Sequence, residues 1–141
     1  MKIAVIQMTS ALNPEVNLKK LNTFLKEAKS SGAVVAFLPE VFYSMSDGQG
    51  PSPYLPLGEN EHYQAIKKLA TDNQIAIVGG SAAASLNGKV INRSYNFSAT
   101  GVDLGHYDKR KLFACDLNTT KLTEADVYTA GHDSKIITIE D

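Results

Sequence analysis

Two apolar runs in this chain each end on a charged residue of a kind that hydrolytic chemistry uses. Ala33-Val34-Val35-Ala36-Phe37-Leu38 runs into Pro39-Glu40, and a later strand-like run ends in His106-Tyr107-Asp108-Lys109, followed by Arg110-Lys111-Leu112-Phe113. A carboxylate can take a proton from a nucleophile and hand it to a leaving amine. A fixed ammonium can stabilise the oxyanion that forms when a carbonyl carbon is attacked. Placed together at strand ends, the two suit cleavage of a carbon–nitrogen bond through a thiol, a weak nucleophile until it loses its proton. Each has a plainer reading: Glu40 as an ordinary strand-end charge, and Lys109 as one member of the solvated basic cluster Lys109-Arg110-Lys111. The sole cysteine, Cys115, sits in the wrong context for the thiol.

The elements that would position these charges can be read from periodicity and punctuation. Ile3 to Met8 opens with consecutive apolar residues including β-branched Ile and Val, as a buried strand does. Asn13 is a good N-cap, Pro14 suits the first helical position, and Leu18, Leu21, Leu25 and Ala28 recur at helical spacing up to Gly32, which can close the helix. With a strand at 33–38 the start reads β-α-β with parallel pairing. A second helix is expected over 60–72, capped by Asn60, and a strand over Ile75-Ala76-Ile77-Val78 ended by Gly79-Gly80. Asn87-Gly88 marks a turn, and 90–98 with 102–107 around Ala99-Thr100-Gly101 reads as an antiparallel hairpin. The stretch 110–130 is irregular with one helical turn, and Lys135-Ile136-Ile137-Thr138-Ile139 reads as a strand. From Val41 to Glu59 periodicity is lost among prolines and glycines. Leaving directly from Glu40, this segment is expected to wall a substrate pocket, with Tyr43 and Tyr54 as pocket or packing residues.

Composition excludes several classes. The chain has 141 residues, with 14 Lys and Arg against 15 Asp and Glu, a formal charge of -1 with both signs interspersed. That balance argues against a nucleic-acid stripe or a polybasic membrane surface. No apolar run approaches the ~20 residues that span a bilayer, and Met1 to Ile6 is too short for a secretory core. One cysteine agrees with a reducing compartment, so a cytoplasmic location is expected. His62, His106 and His132 are too scattered for a metal site. No dinucleotide fingerprint, phosphate loop or Gly-x-Ser-x-Gly elbow occurs, and no cofactor is expected.

Six short segments in one order carry a resemblance. Ala4-Val5-Ile6-Gln7-Met8, Phe37-Leu38-Pro39-Glu40, the strand closed by Gly79-Gly80, Asn92 before the hairpin, Tyr107-Asp108-Lys109 with Leu112-Phe113, and Glu124 seven residues before Gly131 resemble the nitrilase, or carbon–nitrogen hydrolase, superfamily over essentially the whole chain. The resemblance implies an α/β fold, the N-terminal half of a four-layer α-β-β-α sandwich, and hydrolysis of small amides, nitriles or carbamoyl compounds by Glu, Lys and Cys. It implies Glu40 as general base, Lys109 as the lysine and Glu124 as a supporting glutamate. Lys111 stands where many members carry histidine, a departure in that loop.

In the family pattern the nucleophile follows a later apolar strand, flanked by Ile and by Tyr or Phe then Asp. Cys115, six residues past Lys109, does not match and is expected to be a small neutral thiol. The nucleophile is therefore expected beyond Asp141, the 141-residue chain alone is expected to be inactive, and residues 1–141 are read as a partial hydrolase domain. The sheet is expected to expose an apolar face and unpaired edges, which self-association or the other half of the fold would cover. An amidase-type substrate is slightly favoured over a nitrile. The alternatives are a non-catalytic interaction module or degraded gene product of the same fold, and the glutamine-amide-hydrolysing domain of a larger synthetase.

Overall fold

The computed structural model describes residues 1–47, 50–116 and 121–139. In chain order the elements are β1 (Ile3–Val5), α1 (Pro14–Ser30), β2 (Val35–Phe37), α2 (Glu61–Asn73), β3 (Ala76–Val78), β4 (Ser81–Leu86), β5 (Lys89–Phe97), β6 (Asp103–Asp108), β7 (Ala114–Asp116) and β8 (Lys121–Thr123), then a single 3-10 turn at Glu124–Asp126. β1, β2 and β3 are parallel neighbours, in register Ile3 with Val35 and Val35 with Ala76. Antiparallel β5 follows β3, pairs along its length with β4, and carries β6 on its other edge. β7 and β8 form a separate hairpin.

Both helices begin and end as their sequences direct. The Asn13 side chain accepts the Glu15 N–H at 2.9 Å and Pro14 starts α1. At its end Gly32 takes φ 84°, a left-handed conformation that a residue without Cβ adopts freely. The Gly32 N–H then donates to the Lys29 carbonyl and the Ala33 N–H to that of Ala28, satisfying carbonyls the helix leaves open. In α2 the Asn60 side chain accepts the Tyr63 N–H.

The helices cover one face of the sheet. Leu21, Leu25, Ile66 and Leu69 pack with Ala36, Ile77, Ile91, Tyr95 and Phe97 in a single core. Alternation places Ile3, Val5, Val35, Phe37, Ala76 and Val78 on the opposite face. There Ile139 rests on Val35, Ala76 and Val78, while Ile3, Val5 and Phe37 stay 48%, 76% and 37% exposed. A groove of about 810 Å³, lined by residues including Met1, Val34, Val102 and Ile139, runs over this face. The molecule is thus one helix layer on one sheet layer.

The structure departs from the sequence-based expectations in four places. β1, expected as a buried strand over Ile3 to Met8, is a short edge strand with Ile3 and Val5 exposed, because among the described residues β2 alone pairs with it. Ser81–Leu86, for which no element is expected, is a strand; its serines and alanines have weak strand preference, and pairing with β5 over six positions overrides it. The segment 110–130 holds the β7–β8 hairpin, although 117–120 lie outside the described residues. Lys135–Ile139 forms no strand, because an apolar run becomes a strand only against a hydrogen-bonding neighbour and none pairs with it among the described residues; Ile136 is 95% exposed.

The long segment after Glu40 is anchored on the helix side. Asn17, fully buried, accepts the Ala11 N–H and donates to the carbonyls of Ala11 and Tyr43. Tyr43, 2% exposed, gives its hydroxyl to a 2.9 Å bond with His62 Nδ1, and Tyr54 meets the same ring edge-on. Tyr43 is therefore a packing residue. Its burial, with Glu61 nearby, pushes its pKa up to about 12.

Gly80, between β3 and β4, faces the root of the segment bearing Glu40. A Cβ there would stand 2.4 Å from Leu38 Cβ and 2.7 Å from Phe42 Cδ1, closer than atoms can approach. Gly80→Ala is expected to cost about 1–3 kcal/mol through overpacking, measured by urea denaturation; an unchanged midpoint would show that the sheet yields freely at this point.

Candidate active site

Glu40 lies beyond the C-terminal end of β2. The Leu38 N–H still reaches the Val78 carbonyl at 3.0 Å, so the chain leaves the sheet only at Pro39. Val41 then takes φ 49°, an outlier for a β-branched residue. Ser81 holds this turn, its hydroxyl accepting the Val41 N–H at 2.9 Å and its carbonyl the Phe42 N–H at 3.0 Å. Strained backbone of this kind persists where surrounding contacts over-determine it, and functional sites are where it gathers.

Lys109 follows β6 and is fixed on both sides of its main chain. Its N–H donates to the Asn92 carbonyl at 2.8 Å, and its carbonyl accepts the Gly131 N–H at 2.9 Å. Gly131 allows this approach, since a Cβ would lie 2.4 Å from the Asp108 carbonyl oxygen. Of the basic cluster, only Lys109 turns onto the sheet. The Arg110 guanidinium goes to Ser134 Oγ at 2.8 Å, and Lys111 is exposed.

Glu124 opens the 3-10 turn after β8. Its N–H donates to the Phe113 carbonyl at 2.9 Å, and its Oε2 accepts the Phe113 N–H at 2.6 Å, so the hairpin grips both main chain and carboxylate. The three charged residues then meet: Lys109 Nζ lies 2.9 Å from Glu40 Oε1 and 2.8 Å from Glu124 Oε2. The ammonium and Glu124 are 25% and 20% exposed at the side chain, Glu40 55%, so the cluster is open on the Glu40 side.

Sequence reasoning assigned Asn92 no role. Its Nδ2 donates to Glu40 Oε1 at 2.7 Å, and the residue is 2% exposed. The readable signal was the alternation Asn92, Ser94, Asn96, a row of buried polar residues along one face of β5. The Tyr128 N–H donates to the Glu124 carbonyl at 2.7 Å, and burial raises the pKa of its hydroxyl, as do the carboxylates of Glu124 and Glu40, while Lys109 opposes them. Cys115 sits within β7, and no hydrogen bond among the described residues ties it to Glu40, Lys109 or Glu124.

Burial disfavours the Lys109 charge, but the hydrogen bonds and charges of Glu124 and Glu40 outweigh it and hold the pKa above its ordinary 10.5. The folded protein then binds this proton more tightly than the unfolded chain. The resulting stability is full below pH 10.5 and is lost as the pH climbs through the raised value. Lys109→Met is expected to cost about 1 kcal/mol at pH 7 and to show a shallower decline of stability above pH 10.5 than the parent, read from urea melts across the alkaline range. Parallel pH profiles would show that the ion cluster contributes nothing to stability.

Comparison with known proteins shows what the chain is similar to. The model of the carbon–nitrogen hydrolase family matches residues 2–140. Among curated proteins, Nitrilase homolog 2 of Dictyostelium discoideum is 31% identical over 98% of this chain and 43% of its own length. Omega-amidase NIT2 of Homo sapiens is 28% identical over 82% of this chain and 42% of its own. The chain therefore spans less than half the length of these relatives. Among solved structures, the C. elegans NitFhit protein superposes with a TM-score of 0.76 at 24% identity, over 93% of this chain and 33% of that one. An amidase from Nesterenkonia sp. gives 0.73 at 20%, over 93% and 48%. These two likenesses show that the helix layer and the sheet layer are a fold shared with both proteins, each of which this chain covers in part. With a family model matching nearly every residue, the chain belongs to the carbon–nitrogen hydrolase family.

Proposed function

We propose that the whole protein is an amidase acting on a small-molecule amide, the ω-amide of a small acid being the favoured class, and that Glu40, Lys109 and Glu124 are three of its catalytic groups. The observation that carries this reading is the Lys109 ammonium held between two carboxylates, at 2.9 Å from Glu40 and 2.8 Å from Glu124. The omega-amidases among the relatives support the substrate class.

In this mechanism Glu40 takes the proton of a cysteine thiol supplied from outside residues 1–141, and the thiolate sulfur forms a bond to the amide carbon. The carbonyl electron pair moves onto oxygen, where the Lys109 ammonium stabilises the charge. The pair returns, the carbon–nitrogen bond breaks, and the proton on Glu40 passes to the departing nitrogen, releasing ammonia and leaving a thioester. Water, deprotonated by Glu40, cleaves the thioester to the acid and restores the thiol. Glu124 keeps the ammonium in place, bonded to Lys109 at 2.8 Å while Glu40 takes up and releases the proton.

The open side of the cluster fits the same reading. Electrostatic stabilisation works best in a dry pocket, and a Glu40 side chain 55% exposed needs a further wall. We assign that wall, and the cover for the apolar sheet face at Ile3, Val5 and Phe37, to the second half of the fold, with subunit pairing as a further cover. A cytoplasmic location suits a free active-site thiol.

In the full-length protein, Glu40→Gln and Lys109→Ala are each expected to lower amide turnover at least about 100-fold without loss of the cooperative melt, while Cys115→Ser keeps parental activity. The measurement is ammonia release under saturating substrate, and normal rates in either of the first two variants would overturn the assignment. The polypeptide 1–141 expressed alone is expected to be inactive and to self-associate; a well-dispersed monomer at high concentration, seen by sedimentation, would remove the argument from the open face.

A further inference from the structure

Glu40 and Lys109 stand 69 residues apart and leave strands that are not neighbours, since β3 and β5 separate β2 from β6 in the sheet. A Lys–Glu contact alone sets their distance but not their orientation. The lysine stem has several rotatable bonds, and the last torsion of a glutamate is broad. Asn92 on β5 touches both. Its main-chain carbonyl accepts the Lys109 N–H at 2.8 Å, and its side-chain amide donates to Glu40 Oε1 at 2.7 Å.

We propose that Asn92 is a positioning residue for the amidase reaction: it fixes the plane of the Glu40 carboxylate so that Oε2 is the oxygen that exchanges protons. The inference rests on the amidase reading and adds a division of labour between the two oxygens. Asn92 and Lys109 both donate to Oε1, and among the described residues none donates to Oε2. Oε1, which accepts two hydrogen bonds, is the weaker base, and Oε2 keeps its lone pairs for the thiol proton. Asn92 is 2% exposed in the middle of a strand paired on both edges, so its amide has little freedom to follow the carboxylate if it turns.

Its neighbours on the same face have other work. Asn96 accepts the Gly79 N–H and donates to the Gly105 carbonyl and to Ser94 Oγ. They hold backbone together, whereas the Asn92 side chain reaches a carboxylate.

The test uses the full-length enzyme with its thiol. Asn92→Leu keeps the branched shape and heavy-atom count and removes the donor; kcat is expected to fall about 100-fold, the scale of a misplaced catalytic group, with KM within about threefold. Asn92→Asp is nearly isosteric. Its introduced carboxyl donates only when protonated, so activity relative to the parent is expected to recover as pH falls from 8 toward 5.5, while Asn92→Leu stays low throughout. Ser94→Ala, altering the same buried face, is expected to keep the parental kcat. A kcat within threefold of the parent in Asn92→Leu, a raised KM at unchanged kcat, or an Asn92→Asp profile parallel to the parent would each overturn the proposal. Should Asn92→Leu fail to fold, the Asn92→Asp profile decides. Glu40→Gln in the same assay separates the two failures: if it stays active the amidase reading falls, and if it is dead while Asn92→Leu is active only the role of Asn92 falls.

Discussion

One ammonium ion held between two carboxylates is the interaction to which much of this molecule answers. Each partner comes from a different part of the chain: Glu40 from the parallel strands, Lys109 from the antiparallel extension, and Glu124 from the turn after the small hairpin. Bringing like charges together on a half-buried surface is unfavourable without the cation, and holding the cation there is unfavourable without them. The surroundings meet that demand mostly with backbone groups. Ser81 steadies the Glu40 turn, Asn92 and Gly131 bracket Lys109, and Phe113 grips Glu124.

The close contacts follow the same logic. Gly80 and Gly131 stand where a methyl group would collide with the Leu38–Phe42 root and with the Asp108 main chain, the segments that lead into and out of the charged cluster. β4 is serine and alanine up to its last residue, and the small side chains of Ser81–Ala84 let it lie buried against β5. Space has been removed where the charged residues must be held at fixed distances.

Much of the fold was legible in the sequence because local signals and tertiary outcome agree. Asn13 and Asn60 cap their helices, the three apolar runs are parallel strands, and the turn at Ala99–Gly101 joins a hairpin. Glu40, Lys109 and Glu124 could be singled out by their neighbours in sequence, and the structure brings all three into contact. What was hidden depends on pairing partners rather than on a segment's own composition. The strand nature of Ser81–Leu86 comes from its ladder with β5, and the expected strand at 135–139 lacks such a ladder among the described residues. Asn92 was visible as a motif residue, but its bond to Glu40 spans 52 positions and no local pattern announces it.

β5 serves two masters at alternate positions. Ile91, Tyr95 and Phe97 enter the core beneath the helices, while Asn92 reaches the charged cluster from the other face. The pairing that fixes this alternation begins at a two-residue turn, Asn87-Gly88, where φ is 51° and 75°, the geometry that aligns Leu86 with Lys89. A slip of one residue would send every β5 side chain to the opposite face, burying an amide among Leu69 and Ile66 and setting isoleucine or arginine against Glu40. A tight turn on the far edge of the sheet thereby governs both whether the protein folds and whether its carboxylate is addressed, and errors there would surface as one defect rather than two.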